Sequence, residues 1–193
     1  MSSRLIGLMV IVLSVSACAF SPQKVEIAPH VEYSRTDIGK GNTISVAILD
    51  GRDSTDIGHR GSAAIANGAK VTSDQNIPET FRQAIFEGLK AKGFSPVDST
   101  KSVPRQLQVE IRSIGYSTST GFWTGGVETK AAVMCHASVA SNTYDKIYRY
   151  SGEERVVFVP TADHNSQLIN KAINEVLAQM FDDQALLSLL ASN

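Results

Sequence analysis

The stretch "QLQVEIRSIGYST", residues 106–118, carries the clearest strand pattern in this 193-residue chain. Apolar Leu107, Val109 and Ile111 alternate with polar side chains at the positions between them. Because successive side chains of a strand point to opposite faces, this period of two predicts a strand with one buried face and one face in water. Such a sheet needs another layer to cover its apolar face.

A helix upstream of this strand is predicted to supply part of that cover. Phe81, Ile85 and Leu89 recur every four residues, which places them on one face of a helix. Asn76 followed by Glu79 three residues later is typical of a helix start, and Gly93 of a helix end. We expect an amphipathic helix that lies on the sheet.

The C-terminal part predicts a second amphipathic helix, capped by Thr161 or Asp163. A short helix, "ALLSLLAS", then ends the chain. The apolar residues of the longer helix follow the helical period closely: Ile169, Ala172, Ile173, Val176, Leu177, Met180 and Phe181.

Further strands are predicted on both sides of residues 106–118. "TISVAILD", Thr43–Asp50, alternates like a strand, and "GFSPV" is a short one that Pro96 confines to an edge or a strand beginning. A long hairpin is expected with arms Val127–Ser141 and Lys146–Val159, joined by "NTYD". Gly152 within the second arm suggests a β-bulge.

The order of these elements predicts the fold class. A strand, a helix, a strand, several antiparallel strands and a helix are typical of an α+β protein. We therefore predict a two-layer sandwich, with a mainly antiparallel sheet of about four to six strands and two amphipathic helices on one face.

The N-terminal run "LIGLMVIVLSVSACAF", Leu5–Phe20, is too short to cross a bilayer, which takes about 20 apolar residues. Arg4, the apolar core and the small residues after it predict a signal peptide. Val15–Cys18 resembles the bacterial lipobox, and this resemblance implies a diacylglyceryl group on the Cys18 sulfur, cleavage after residue 17 and acylation of the new amine. The alternative is an ordinary secretory signal with a chance cysteine.

This pattern divides the chain into three parts. Residues 1–17 are the predicted lipoprotein signal peptide, 18–42 the lipidated N-terminus and a flexible tether, and 43–193 a single periplasmic domain. The tether prediction rests on Pro22, Pro29 and a Gly-Lys-Gly run. The alternative is that "VEIAPHVEY", residues 25–33, lies along the domain as an edge strand.

Composition narrows the possible partners. Without residues 1–17 the chain keeps 17 basic and 19 acidic side chains, a net charge of −2. Neither a basic stripe for nucleic acid nor a polybasic membrane segment is present in the sequence. We expect no nucleic-acid partner, contact with the membrane through the lipid on Cys18, and an envelope protein as the candidate protein partner.

Cys135 remains without a cysteine partner once Cys18 carries lipid. In "KAAVMCHASVA" it shares one strand face with Val133, Ala137 and Val139, which predicts a small buried hydrophobe. The adjacent His136 points to the opposite face, so it is poorly placed to activate the thiol.

Asp50, Asp53, Asp56 and His59 recur every third residue on one loop and form the candidate metal cluster of this sequence. Their spacing fits neither a calcium loop nor a zinc site. We expect a salt bridge from Arg52 or Arg60 to one of these acids instead.

Phe122 and Trp123 lie in the small, polar, glycine-rich stretch "STSTGFWTGG". Exposed aromatic side chains on such a loop often mark a partner or a membrane interface. They are the candidate partner-contact residues; the alternative is that Trp123 folds back over the sheet.

Several of these features together resemble the YajG-type family of bacterial outer-membrane lipoproteins. The resemblance rests on the lipobox, "DGRD" after the first strand, "AKGF" after the first helix, "LQVEIRSIGY", "YRYSGEE" in the hairpin and the C-terminal amphipathic helix. It implies an outer-membrane lipoprotein without an assigned activity.

The sequence does not indicate an enzyme or a cofactor. Asp163, His164, His136 and Ser166 are residue types of hydrolases, but no serine lies in a G-x-S-x-G elbow, and no phosphate-binding glycine loop is present. Two functions remain: a tethered module that docks on another envelope component, and a carrier or sensor that binds a lipid or glycan between sheet and helices. The first predicts an exposed apolar patch and the second a concave apolar pocket.

The lipobox generates a direct prediction. Cys18→Ala removes the sulfur that accepts the lipid, so we expect an unprocessed precursor in cells. The measurement is the electrophoretic mobility of the protein, together with metabolic labelling by a fatty acid. Mature protein that is soluble without detergent in this variant would refute the assignment.

Overall fold

A computed structural model describes residues 21–61, 68–101, 103–120, 125–156 and 160–192. Within those ranges the fold combines eight strands and three helices. The elements in chain order are β1 (Gln23–Lys24), β2 (Thr43–Asp50), β3 (Gly58–Arg60), β4 (Ala69–Thr72), α1 (Ile77–Ala91), β5 (Ser95–Asp98), β6 (Arg105–Thr120), β7 (Gly125–Val139), β8 (Asn142–Val156), α2 (Ala162–Phe181) and α3 (Gln184–Ala191).

The sheet is larger and more mixed than predicted. All eight described strands belong to one sheet, so the expectation of four to six mainly antiparallel strands is wrong. Four pairings are parallel, β1–β4, β2–β5, β2–β6 and β3–β6, while β3–β4, β6–β7 and β7–β8 are antiparallel. The short strands β1, β3 and β4 lacked an alternating pattern long enough to detect.

Strand β6 confirms the pattern of residues 106–118 and adds a bulge. It pairs with β7 along one side and with β2 and then β3 along the other. The β6–β7 register shifts between Ile111 and Ser113. This extra residue returns Ile114 and Tyr116 to the buried face, where an uninterrupted period of two would have turned them to water.

The hairpin of β7 and β8 turns earlier than predicted, since β7 ends at Val139 rather than Ser141 and β8 begins at Asn142 rather than Lys146. Val139 pairs with Asn142, so Ala140 and Ser141 form the turn, and Ala140 adopts a left-handed φ of 54°. The predicted bulge at Gly152 is wrong, since this residue pairs with Thr129 without a register shift. Gly152 instead leaves room for the ring of Tyr150, which a Cβ atom there would strike.

Strands β2 and β5 agree with the sequence. β2 spans the predicted residues, Thr43–Asp50. β5, which contains Pro96, lies at the end of the strand order, where a residue without a backbone N–H is tolerated.

The helices begin where their capping residues predict. Asn76 Oδ1 accepts from the Glu79 amide at 3.3 Å at the start of α1. Thr161, one of the two predicted candidates, caps α2 by accepting from the His164 amide at 3.2 Å. The residues that both helices were predicted to bury lie in one core with the sheet.

The segment predicted as a tether is packed against the domain, so that prediction is wrong for residues 23–41, which we call the strap. β1 pairs with β4, and Val25 and Ile27 are 4% and 0% exposed in the core. The alternative, that residues 25–33 lie along the domain, agrees with the structure in position, although pairing as a strand is confined to Gln23–Lys24. Burying Val25 and Ile27 outweighs the freedom that a tether would keep.

None of the helices within the described ranges has the length and apolarity to span a bilayer.

The position of Cys135 confirms that it is a core residue. Its side chain is 0% exposed, and burial raises the pKa of the thiol to about 12. Since the thiolate is the reactive form, this thiol is inert at neutral pH.

Cys135 therefore predicts the outcome of mild alkylation. We expect no labelling by iodoacetamide in the native protein and full labelling in urea, measured by mass spectrometry. Cys135→Ala should lower the free energy of unfolding by only about 1–2 kcal/mol, as small core truncations do. Rapid labelling of the native protein would contradict the core assignment.

Candidate functional site

The strap is held to helix α2 by a ladder of hydrogen bonds. Side chains four residues apart on α2 accept from backbone amides two residues apart on the strap. The two spacings match, because two extended residues rise about 6.6 Å and four helical residues about 6.0 Å. The pairs are Ser166 Oγ with the Glu26 amide at 3.0 Å, Asn170 Oδ1 with Ala28 at 2.9 Å, and Asn174 Oδ1 with His30 at 2.9 Å.

The far end of the strap is fixed to the end of α1. The Thr36 amide donates to the Ala91 carbonyl at 2.9 Å, and the Gly39 amide to that of Lys92 at 2.9 Å. Gly39 passes so close to Gly93 that a Cβ atom would lie 2.6 Å from the Gly93 carbonyl carbon, which explains the glycine. The strap is therefore fixed along its length, and its path crosses both long helices.

The other end of the strap begins at a buried arginine. Arg60 is 3% exposed; its Nη1 donates to the Ser21 carbonyl at 3.1 Å and its Nη2 to the Pro160 carbonyl at 3.3 Å. The described residues provide no ion-pair partner for it, and the undescribed ones contain no Asp or Glu. Arg60 thus joins the start of the strap to Pro160, the residue before the α2 cap. The salt bridge predicted as an alternative for Arg60 is not formed among the described residues.

Other buried polar groups surround this contact. Gln23 Nε2 also donates to the Pro160 carbonyl, and Asn165 Nδ2 donates to Gln23 Oε1 at 2.6 Å. Tyr116 lies nearby; burial raises the pKa of its hydroxyl, although the Arg60 charge opposes the shift. Together, Arg60, Gln23, Asn165 and Tyr116 hold the first strap residues between β6 and α2.

Neither group of predicted site residues falls within the described residues, but their neighbours in sequence meet at one end of the sheet. Cys18 precedes Ser21 by three residues, and Phe122 and Trp123 lie between Thr120 of β6 and Gly125 of β7. The Gly61 amide donates to Thr118 Oγ1 at 2.9 Å next to Arg60. We call this end, defined by Ser21, Arg60, Thr118, Gly125 and Pro160, the Ser21 end.

The candidate metal residues do not converge on one point. Asp50 forms a two-pronged salt bridge with Arg52, Nε to Oδ1 at 2.7 Å and Nη2 to Oδ2 at 2.8 Å, as one of the predicted alternatives had it. Asp56 pairs with Lys70 at 2.8 Å. Within the described ranges, which include Asp53 and His59, no three His, Cys, Asp or Glu side chains form a metal-sized group.

The hydrolase residue types are engaged in structural contacts. His136 binds Asp145 on the neighbouring strand, and His164 Nε2 lies 3.2 Å from Glu154 Oε1. The Ser166 hydroxyl donates to the Ala162 carbonyl at 2.9 Å and accepts from the strap. Ser166 therefore serves as a rung of the ladder.

A groove of about 590 Å³ lies beside the strap and α1. Tyr33 lines it: its hydroxyl donates to the Ala84 carbonyl at 2.9 Å, and its ring meets that of Phe181 edge-on. Three charged residues, Arg35, Glu87 and Lys90, also line the groove, which is unlike the enclosed apolar pocket of a lipid carrier.

Asp183 is a second buried polar centre, which the sequence reading did not identify. Its Oδ2 accepts from Tyr144 Oη at 2.8 Å, Lys146 Nζ at 2.6 Å and Tyr148 Oη at 2.9 Å, while Oδ1 caps α3. Burial alone would raise the pKa of this carboxyl, but the hydrogen bonds to it lower that pKa well below the usual range. Asp183 ties β8 to the α2–α3 junction.

The strap ladder was also missed, although the sequence holds a signal for it. Ser166, Asn170 and Asn174 are spaced by four residues on one face of an amphipathic helix, and the strap alternates apolar residues from Val25 to Tyr33. The amides of an extended segment packed on a helix need acceptors, and Ser and Asn oxygens at this spacing can supply them.

The class of protein follows from a family comparison. A family model described as "uncharacterized lipoprotein" matches residues 29–191. The chain belongs to this family, the YajG-like lipoproteins, which confirms the resemblance in the sequence.

The solved structures that this chain matches are distant from it in sequence. Protein XCC0632 of Xanthomonas campestris has 9% identity and a TM-score of 0.46, and covers 89% of this chain and 94% of its own. A putative neuraminyllactose-binding hemagglutinin homolog of Helicobacter pylori has 9% identity and a TM-score of 0.46, with 87% and 96% covered. Lipoprotein GNA1162 of Neisseria meningitidis has 11% identity and a TM-score of 0.30, with 72% and 97% covered. No curated protein matches this sequence.

The ladder predicts a local effect of Asn170→Ala. This change removes the acceptor for the Ala28 amide and the donor to the Glu26 carbonyl. We therefore expect the free energy of unfolding to fall by about 1–2 kcal/mol. Hydrogen exchange at residues 26–30 should accelerate. Gln167→Ala, on an exposed position of the same helix, is the control; equal exchange in both variants would contradict the ladder.

Asp183 predicts a pH-dependent contribution to stability. Its folded-state pKa lies below the unfolded value of about 3.9, so the contribution is present above about pH 4 and is lost as the pH falls further. Asp183→Asn should cost about 1.5–3 kcal/mol at pH 7, as the loss of hydrogen bonds to a charged group does.

Urea unfolding as a function of pH measures this effect. The gap between wild type and Asp183→Asn should narrow below pH 4, whereas Asp182→Asn, at a neighbouring side chain that is 76% exposed, should show little gap at any pH. A gap that stays constant with pH would show that the charge of Asp183 does not stabilise the fold.

Proposed function

We propose that this protein is a lipid-anchored, non-enzymatic protein of the cell envelope that docks on another envelope component. The family supports the lipoprotein class. The cleavage after residue 17, the lipid on Cys18 and a periplasmic domain that now includes the strap are parts of this proposal. Outer-membrane residence is a further part, because Ala19 is not the Asp that retains lipoproteins at the inner membrane in the enteric sorting rule.

The filled interior is the observation that favours docking over a carrier. Between the sheet and the helices, the described residues pack large side chains that are at most 1% exposed. A lipid or glycan carrier would need an apolar cavity at this place. The largest of these side chains include Phe81, Phe181, Ile85, Leu89, Leu177 and Met180.

The contact residues that we propose are Phe122 and Trp123. The described part of the chain has one large hydrophobic side chain that is clearly exposed, Leu49 at 45%, and a single such residue is common on soluble domains. The loop with two aromatic residues, between β6 and β7, is the better candidate for a contact.

The double variant Phe122→Ala with Trp123→Ala tests this contact. We expect a nearly unchanged melting temperature and the loss of crosslinks to the envelope component in intact cells. Leu49→Ala is the control, since it also removes an exposed apolar side chain but leaves the loop intact. Two results would refute the contact: a loss of several kcal/mol in the free energy of unfolding of the double variant, as aromatic core truncations cause, and a Trp123 fluorescence that is protected from quenchers in the purified wild type.

Mass spectrometry of the protein purified from membranes tests docking against carriage. We expect no lipid or glycan bound other than the covalent acyl groups, and crosslinked envelope material instead. A stoichiometric, non-covalent lipid or glycan would favour the carrier.

A further inference from the structure

Strand β8 leaves one of its two edges open. It pairs with β7 along its whole length, and no other described strand pairs with it. The Arg149 carbonyl accepts from Gln179 Nε2 of α2 at 3.3 Å, so Arg149 and every second residue from it direct their backbone groups away from β7. Among the described residues, this is the one contact that these outward backbone groups make. The carbonyl keeps a second lone pair for a further donor.

An open edge of this kind is a template for another strand. Proteins often block such an edge with proline, with a bulge or by keeping the strand short. β8 has 15 residues, contains no proline and pairs with β7 without a register shift. Charged side chains are a further common block, so their order along β8 decides which strand can pair with it.

The charges beside this edge are self-complementary. Arg149 and Glu153 are exposed on the face of β8 that the helices leave open, with Ser151 midway between them. Neither forms an ion pair with a described residue. Glu128 lies beside Glu153 on β7, but it is paired with Lys130 at 2.8 Å. Two antiparallel copies of β8 that meet at Ser151 set Arg149 of each copy opposite Glu153 of the other.

Neighbouring registers are less favourable. Copies that meet one or two residues further along the chain, or two residues earlier, set like charges directly opposite each other, which is destabilising. Copies that meet at Tyr150 pair Asp145 with Arg155, but Asp145 is already bound to a histidine of β7. That register also leaves Arg149 and Glu153 without a charged residue opposite.

Helix α2 lies over β7 and β8 and turns one flank towards the open edge. On this flank His164 and Gln179 contact β8. Lys171 and Glu175 lie between them on the same flank, because the four positions are separated by seven, four and four residues. Both side chains are exposed, and neither forms an ion pair with a described residue.

The two contacts on β8 show which part of α2 lies level with Ser151. Gln179 contacts residue 149 and His164 contacts residue 154, so Ser151 is two residues from the first contact and three from the second. The corresponding point on α2 is position 173, six residues from one contact and nine from the other, and it lies midway between Lys171 and Glu175. One two-fold axis therefore also sets Lys171 of each copy near Glu175 of the other.

The spacing of the two helices fits the same axis. With α2 over β7 and β8, the two copies of α2 are two strand spacings apart, about 10 Å. Packed helices lie about 8–10 Å apart. The helices therefore neither collide nor leave a gap when the edges pair.

We propose that two copies of this protein pair through the open edges of β8, antiparallel and with Ser151 on the two-fold axis, so that one sheet continues into the other. Backbone hydrogen bonds join the copies. The pairs of Arg149 with Glu153 and of Lys171 with Glu175 fix the register. This inference depends neither on the proposed lipid nor on the proposed envelope contact.

Disulfide trapping of the full-length protein in intact cells tests the pairing. Ser151→Cys places a thiol on the axis, where opposite Cα atoms lie about 5.5 Å apart, within the range of a disulfide. Thr143→Cys is the matched control: it is exposed on the same face of β8, but about 50 Å separate the two copies of this position in the dimer. Cys135 is buried, and the wild type reports any crosslink through Cys18. We expect severalfold more disulfide-linked dimer from Ser151→Cys than from Thr143→Cys.

Charge reversal in the Ser151→Cys protein tests the register. Arg149→Glu or Glu153→Arg alone sets like charges opposite each other and should lower the dimer yield severalfold. The two reversals together restore opposite charges and should restore the yield. A double reversal that stays as low as the single ones would overturn the register.

Two further results would overturn the pairing of two copies. The first is a dimer yield from Ser151→Cys no greater than that from Thr143→Cys, when urea unfolding before oxidation shows both variants to be folded. The second is a linked band in which mass spectrometry finds a different polypeptide, since the strand on β8 would then come from another protein.

Discussion

The sheet depends on the ability of β6 to keep one apolar face over sixteen residues while it serves three partners. Its first half pairs with β2 and its second half with β3, and β7 follows it on the other side throughout. The bulge next to Arg112 lets both halves bury the same face. Without the bulge, Ile114 and Tyr116 would turn away from the core. The polar cluster that holds Ser21 would then lose its contact with Tyr116.

The second constraint is the need to satisfy the amides of an extended chain that lies on helices. A strap beside a strand would find its partners in the neighbouring backbone, but a helix offers none, because its own amides and carbonyls are bonded internally. Side-chain oxygens must replace them, and α2 supplies three at matching intervals. The same helix thus contributes an apolar stripe to the core and a polar stripe to the strap.

Much of the fold could be predicted from local pattern. The spans of β2 and the starts of α1 and α2 follow from alternation and capping groups in the residues themselves. The short strands β1, β3 and β4 could not be predicted in this way, since two to four residues carry too little periodicity and their pairing depends on distant chain. Pro22 and Pro29 favoured the prediction of a flexible tether, which was wrong. Proline is tolerated at both positions because a strap that lies on helices needs no backbone N–H donor there. The predicted site residues Cys18, Phe122 and Trp123 lie outside the described residues, whereas Arg60 and Asp183 act through contacts with residues distant in sequence.

The strap also dictates the order in which the protein can fold. Its rungs on α2 lie 140 to 144 residues further along the chain, so the strap cannot dock until α2, near the end of the sequence, is available to pack. Contacts of such long sequence separation form late, because the intervening loop must close first. In the export route proposed for this protein, the strap would therefore still be undocked when processing enzymes act on the N-terminus. On that proposal, maturation of the N-terminus precedes the docking of the strap on α2.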